Sequence, residues 1–373
     1  HVSLGFMSRI SPDGRYVVST VNEALYVRNF WDYRFSQVFF PTRGILAVYD
    51  RETGEIRALP GADDPDYVHC NAVWSPDGKW LVFSRAEAID PYVPEAPLAT
   101  HAGDPNETQI RYDLYRIPFD GGAGGTAEPV VGASNNGMSD SFPKISPDGK
   151  WIVWTQSANG LLMRPDSKLW IVPFEGGESR PLESNLDLMN SWHSFSPNGR
   201  WLVFSSKADT PYTEMYLTHL DDAGHATPAI RVEHTKASNR AVNLPEFVNI
   251  SYDDLERITV PAVVHYEHFH RGNALAREGK LDEAIAAYTT ALQGENTAWR
   301  VGDWRIHDSL SKILLQIGED DVALEHARKA LELNPDNAEM HGNVGYLLAS
   351  RGRTDEALAH LGEVVRLQPS DPK

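Results

Sequence analysis

One cysteine, Cys70, stands in a chain of 373 residues. A single thiol excludes an intrachain disulfide framework and every zinc site built on paired cysteines. It permits an oxidising compartment without requiring one. No apolar run reaches the roughly 18 residues of a helical membrane span, so none is expected. Positive charge is also short: 34 Lys and Arg face 52 Asp and Glu, a formal net charge of −18. Nucleic acid, which is bound largely by neutralising phosphates, is therefore not an expected partner. Residues 262–373 hold 18 acids and 12 bases, a net of −6, which leaves −12 for the rest. Catalytic signatures are missing too. The nearest approach to a nucleophile elbow, "GASNNG" from Gly132, has the wrong spacing for Gly-x-Ser-x-Gly, and the glycine of "SPDGKW" follows its aspartate too closely for an Asp box.

What is present is a repeat. "ISPDGRYVVST" from Ile10, "WSPDGKWLVFSR" from Trp74, "ISPDGKWIVWTQ" from Ile145 and "FSPNGRWLVFSS" from Phe195 share one turn, starting at Ser11, Ser75, Ser146 and Ser196. Proline sets φ at the second turn position and the glycine two residues later takes the left-handed conformation, so each copy predicts a tight strand-turn-strand. The runs after the turn show no polar alternation, which predicts strands covered on both faces. A second pair of short strands follows each copy, as in "DLYRIPFDGG" from Asp113 and "KLWIVPFEGGESRPL" from Lys168. Two hairpins per copy predict a four-stranded antiparallel sheet, repeated at least four times, which is the blade of a β-propeller.

The Ser-Pro-Asp-Gly-Lys-Trp-Leu-Val-Phe-Ser hairpin followed by Leu-Tyr-x-x-Pro-Phe-x-Gly-Gly resembles the TolB-like propeller repeat of bacterial envelope proteins, over residues 6 to 233. That resemblance implies a bacterial periplasmic or extracellular location and a place in a larger envelope or extracellular complex. The intervals between copies, 64, 71 and 50 residues, exceed a compact blade and place insertions near residues 22–43 and 87–110. The first carries seven aromatic residues in "ALYVRNFWDYRFSQVFF". Packing at a rim and a binding surface are both open readings of them.

Past residues 243–262 the periodicity becomes helical. Three segments align on Gly279, Gly318 and Gly352 and resemble tetratricopeptide repeats, with small residues where paired helices approach: Gly272, Ala284, Ala291, Ser311, Ala323, Ala330, Gly345 and Ala357. The expected organisation is multidomain, β then α: a propeller over 1–250, a linker over 251–262, and an α-helical solenoid of three repeats over 263–373. Tetratricopeptide repeats imply a concave groove for a peptide or a partner subunit. Aligning the repeats places Tyr266, Phe269, Asn273, Arg277, Arg305, Lys312 and Tyr346 on that face, mixed basic and aromatic, and predicts an acidic or C-terminal partner segment with Lys312 and Arg277 near its carboxylate.

Histidines receive a separate reading. His268, His307 and His341 align in the three repeats, where successive first helices stand too far apart for one ion to be shared, so packing is expected. Met189, Trp192 and His193 precede the fourth turn and His69 precedes the second; they pack at a blade junction or line one end of a channel. The functional expectation is a non-catalytic interaction scaffold, without a cofactor, that binds protein subunits or peptide segments. An alternative is a c-type haem electron-transfer component. Bacterial relatives joining such a propeller to tetratricopeptide repeats carry Cys-x-x-Cys-His directly before the first strand, and His1 stands at the corresponding place. His1 would then be an axial ligand, with haem c held by cysteines upstream and Met7 or His193 approaching the other face. A propeller hydrolase is the third reading.

Overall fold

In the computed structural model, the described residues are 6–92, 97–233, 235, 241–254, 264–293 and 303–368. Contacts between them divide the chain into two compact units, His1–Ile250 and Ser251–Lys373. The expected linker, 251–262, begins at that boundary within the second unit, and its residues 255–262 fall outside the described set.

The first unit grows from the repeated turn. In each copy the serine hydroxyl donates to the side chain two residues on and accepts a backbone N–H five residues on: Ser11 with Asp13 and Tyr16, Ser75 with Asp77 and Trp80, Ser146 with Asp148 and Trp151, Ser196 with Asn198 and Trp201. Gly14, Gly78, Gly149 and Gly199 take φ of 75°, 70°, 74° and 71°, where any Cβ is strained. Four sets of antiparallel strands result. The first is β1 (Phe6–Ile10), β2 (Tyr16–Asn29), β3 (Gln37–Asp50) and β4 (Ile56–Ala58); the second is β5 (Tyr67–Trp74), β6 (Trp80–Glu87), β7 (Asp113–Pro118) and β8 (Glu128–Pro129). The third is β9 (Ser139–Ile145), β10 (Trp151–Ser157), β11 (Lys168–Pro173) and β12 (Arg180–Pro181); the fourth is β13 (Asn190–Phe195), β14 (Trp201–Ser206), β15 (Glu214–His219) and β16 (Ile230–Arg231).

These sets correct the expected architecture. The third and fourth are separate four-stranded sheets, but a parallel pairing of Gly44 with Val68 joins the first two into one eight-stranded sheet. No sheet among the described residues is closed on itself, so the TolB-like β-propeller of at least four separate blades is not supported. The insertion at residues 22–43 supplies the physical reason. It prolongs β2 and β3 to 14 residues each, and the long β3 reaches the edge of β5.

Within the strands the both-face burial holds. Leu81-Val82-Phe83, Ile152-Val153-Trp154 and Leu202-Val203-Phe204 are buried, while Trp201, first after its turn, stays 37% exposed. A further repeated device carries no sequence signature. Met7, Asn71, Phe142 and Trp192 each stand four residues before their turn serine with φ of 57°, 56°, 55° and 52°, in β-bulges of β1, β5, β9 and β13. Four unlike side chains share one strained backbone, so composition could not reveal it.

The second unit has six described helices: α1 (Val264–Arg277), α2 (Leu281–Gln293), α3 (Asp303–Gln316), α4 (Asp320–Leu333), α5 (Ala338–Ser350) and α6 (Thr354–Leu367). They form a tetratricopeptide-like solenoid. The three aligned glycines end the first helix of each pair with φ of 76°, 83° and 73°. The next N–H reaches back five residues, Lys280 to Leu275, Glu319 to Leu314 and Arg353 to Leu348, which closes a Schellman cap. Ala284, Ala291, Ser311, Ala323, Ala330 and Ala357 are buried between helices. At Gly272 an added Cβ would come within 2.5 Å of the Tyr288 ring. Pro335 follows the end of α4, whereas Pro369 lies outside the described residues.

Candidate functional site

All seven residues expected on the groove lie on first helices: Tyr266, Phe269, Asn273 and Arg277 on α1, Arg305 and Lys312 on α3, Tyr346 on α5. The structure separates them by role. Phe269 packs on Tyr288 with ring centroids 5.9 Å apart, and the Asn273 amide oxygen accepts the Tyr288 hydroxyl at 2.8 Å, so both serve the joint between α1 and α2. Tyr266 is half-buried against His265. Arg277 and Arg305 are exposed, Arg305 with its guanidinium over Trp304, and Tyr346 is 73% exposed. Lys312 is already matched by two carboxylates of this chain, Asp308 at 3.0 Å and Glu339 at 2.7 Å. Burial pulls its pKa down, but the hydrogen bonds to Glu339 and Asp308 raise it on balance. A ligand carboxylate at Lys312 would therefore have to exchange with Glu339.

Two histidine pairs went unread in the sequence. Nδ1 of His307 meets Nδ1 of His326 at 2.8 Å, and Nδ1 of His341 meets Nδ1 of His360 at 2.9 Å, each pair joining the two helices of one repeat. His341 uses Nε2 on the Pro335 carbonyl at 2.9 Å. As a neutral ring it is then the acceptor at Nδ1, and His360 donates. Burial, then the neighbouring imidazole, lowers the pKa of His307 and His360. The signal was available: both members of each pair recur after 34 residues. Aligning His268, His307 and His341 found one member of each pair and missed His326 and His360. Among the described residues no group of three or more His, Cys, Asp or Glu is arranged to hold a metal ion.

Of the two readings open for Met189, Trp192, His193 and His69, packing or a channel end, all four are buried. Met189 and Trp192 belong to a core cluster with Phe142, Tyr112, Phe40 and Cys70, and the Trp192 ring meets Phe142 edge-on at 5.0 Å. His193 is fully buried, donates Nε2 to the Val153 carbonyl at 2.9 Å, and is pushed down to a pKa of about 3 by burial. His69 packs on Phe83, and burial and then Arg85 lower its pKa to about 4. In the first insertion Tyr26, Phe35 and Phe40 are likewise core, and Trp31 and Tyr33 are left exposed between β2 and β3.

Solvent-open space gathers at the second insertion. A cavity of about 450 Å³ is lined by Tyr67, Arg85, Glu87, Arg111, Asp113 and Tyr115 among others. The Arg85 guanidinium lies 3.6 Å from the Tyr67 ring centre and 4.9 Å from that of Tyr115. Burial raises the pKa of Asp113. Ser134 of the "GASNNG" stretch donates its hydroxyl to the carbonyl of Leu114 on β7, an arrangement that ties the loop to a strand and does not activate a nucleophile.

The haem reading is also corrected. His1 lies outside the described residues, the sequence contains no Cys-x-x-Cys-His, and Cys70, its one cysteine, is fully buried with a thiol pKa pushed up by burial. His193, the proposed opposite ligand, spends its Nε2 on a backbone carbonyl.

A tetratricopeptide-repeat family matches residues 310–372, and a second family of the same repeat matches residues 268–293. None of the curated proteins matches the chain. Among solved structures, TolB from Acinetobacter baumannii is 18% identical with a TM-score of 0.37; the match covers 62% of this chain and 43% of that one. The second tetratricopeptide domain of Spaghetti (RPAP3), bound to the HSP90 peptide SRMEEVD, is 20% identical with a TM-score of 0.26, over 29% of this chain and 90% of its own. YrrB, a tetratricopeptide protein described as having an unusual peptide-binding site, is 23% identical with a TM-score of 0.26, over 29% and 53%. The helical unit thus carries tetratricopeptide repeats, a protein-protein interaction module. No helix among the described residues is long and apolar enough to cross a membrane.

Proposed function

We propose that the chain is a non-catalytic interaction scaffold whose helical repeats hold an acidic or carboxylate-ended segment of a partner protein. One observation carries the reading: in an acidic chain, Arg277, Arg305 and Tyr346 stay open to solvent on the first helices of the three pairs. Guanidinium groups bind carboxylates in a two-pronged geometry, and an aromatic ring beside them adds apolar area without much conformational entropy. A bacterial periplasmic or extracellular location belongs to the same reading, since one buried thiol tolerates an oxidising compartment. Cell fractionation tests that part.

The binding test uses the full chain and a panel of acidic peptides, each with a free and an amidated C-terminus. Arg305→Glu is expected to weaken capture at least about tenfold at low salt while leaving helix content unchanged, because it reverses a charge facing the ligand. Lys312→Glu should act less, its charge being already matched within the chain. Capture by Arg305→Glu equal to the unsubstituted chain at both low and high salt would reject the assignment.

A further inference from the structure

Residues 241–249 form neither helix nor strand, yet they are fastened to the β unit. The Val242 N–H donates to the Thr213 carbonyl at 2.9 Å, and the Ser205 hydroxyl reaches the Val242 and Asn243 carbonyls at 2.8 and 3.1 Å. The Thr213 hydroxyl donates to the Asn243 amide oxygen. Pro245 is buried, and Glu246 then places its carboxylate between Lys144 Nζ at 3.1 Å and the Ser194 hydroxyl at 2.6 Å.

The residues that receive Glu246 share a register. Lys144 and Ser194 each stand two positions before the serine of their repeated turn, on β9 and β13, and Arg9 stands at the same position on β1. Two hairpins thus place equivalent positions on one carboxylate, and Arg9, at the same position of a third, adds positive charge near both Lys144 and Glu246. The two sides of the contact differ in kind. The Lys144 side chain is 15% exposed and built into a strand, while that of Glu246 is 48% exposed on an irregular segment. A largely buried ammonium without an opposing charge is costly, so the strands present a site that requires an anion. Apolar burial in the segment is small: Leu244 and Val248, on either side of Glu246, are 62% and 66% exposed, while Pro245 and in part Phe247 are covered.

We propose that Lys144, Ser194 and Arg9 form a carboxylate-binding site on the β unit, filled here by the chain's own Glu246, which an extended partner segment with a Pro-Glu step takes in exchange. The tethered Glu246 competes at an effective concentration on the order of millimolar, so capture in trans requires release of residues 242–246. This site is built from residues of the β unit alone and does not depend on the reading of the helical repeats.

A fluorescein-labelled peptide copying residues 241–250, and a second with glutamine in place of its glutamate, test the exchange by fluorescence anisotropy. The full chain carrying Asn243→Ala and Glu246→Ala, which cuts both side-chain anchors, should bind the glutamate peptide at least about tenfold more tightly than the glutamine peptide. The unsubstituted chain should bind neither at the same concentration, and adding Lys144→Met to the double variant should erase the preference. Should the double variant not fold, Glu246→Gln, which keeps the side-chain shape, takes its place with the same two peptides. Equal binding of the two peptides, a preference that survives Lys144→Met, or binding by the unsubstituted chain as tight as by the variant would each overturn the proposal.

Discussion

In the β unit Arg164 and Glu107 meet at 2.6 Å with side chains 3% and 0% exposed, 57 residues apart in sequence. In the helical unit Arg353, at the N-cap of α6, and Glu356 in its first turn also meet at 2.6 Å, but three residues apart and about half open to water. The distances are equal and the physics is not. The start of a helix brings its cap residue and the first turn together by local geometry, and water screens the pair whether or not it forms. The β unit brings its pair together only after distant strands have packed, and it then removes both charges from water. Glu107 anchors the second insertion in this way, with Asn159 adding hydrogen bonds to Glu107 Oε2 and the Thr108 carbonyl.

Arg164→Ala sharpens this contrast most. It leaves Glu107 buried without its cation and should destabilise the β unit by about 3–5 kcal/mol in urea unfolding, whereas replacing both residues by Met should cost far less. A loss below about 1 kcal/mol would show that the insertion opens and solvates Glu107.

Acid gives the next effect. His193 titrates at about 3 in the folded chain against an ordinary value of 6.5, so the unfolded chain binds the proton first. Its contribution to stability is complete above pH 6.5 and is lost as pH falls from there towards 3, at up to about 1.4 kcal/mol per pH unit. His193→Gln, which retains a donor for the Val153 carbonyl, should flatten that slope in urea titrations across the window; an unchanged slope would assign the acid sensitivity to other groups.

Arg353→Ala marks the small end. An exposed helical pair contributes about 0–1 kcal/mol, and less in high salt. A larger, salt-independent loss by thermal unfolding would mean that this pair belongs to a buried network and that the two units do not differ as described.

Much of the molecule was legible because local chemistry is written locally. The turn at Ser11, Ser75, Ser146 and Ser196 closes on partners two to five residues away, and the Schellman glycines cap helices through their own neighbours. The groove residues were legible only as far as their helix. That Arg277 is exposed while Phe269 and Asn273 turn to Tyr288 depends on how α1 meets α2, which repeat alignment does not encode. The bulges at Met7, Asn71, Phe142 and Trp192 were hidden because the backbone conformation repeats and the residue type does not.

By itself the sequence determined the element types, the repeated turns, the three helix pairs and the absence of paired cysteines, since each follows from contacts within a few residues or from composition. Only the tertiary structure decided how the sheets join, that His69, Met189, Trp192 and His193 are packed interior, and that Glu246 meets Lys144 across 102 residues. Those outcomes rest on which surfaces exclude water together. Sheet edges and buried charges find their partners through space, and sequence distance carries no record of the match.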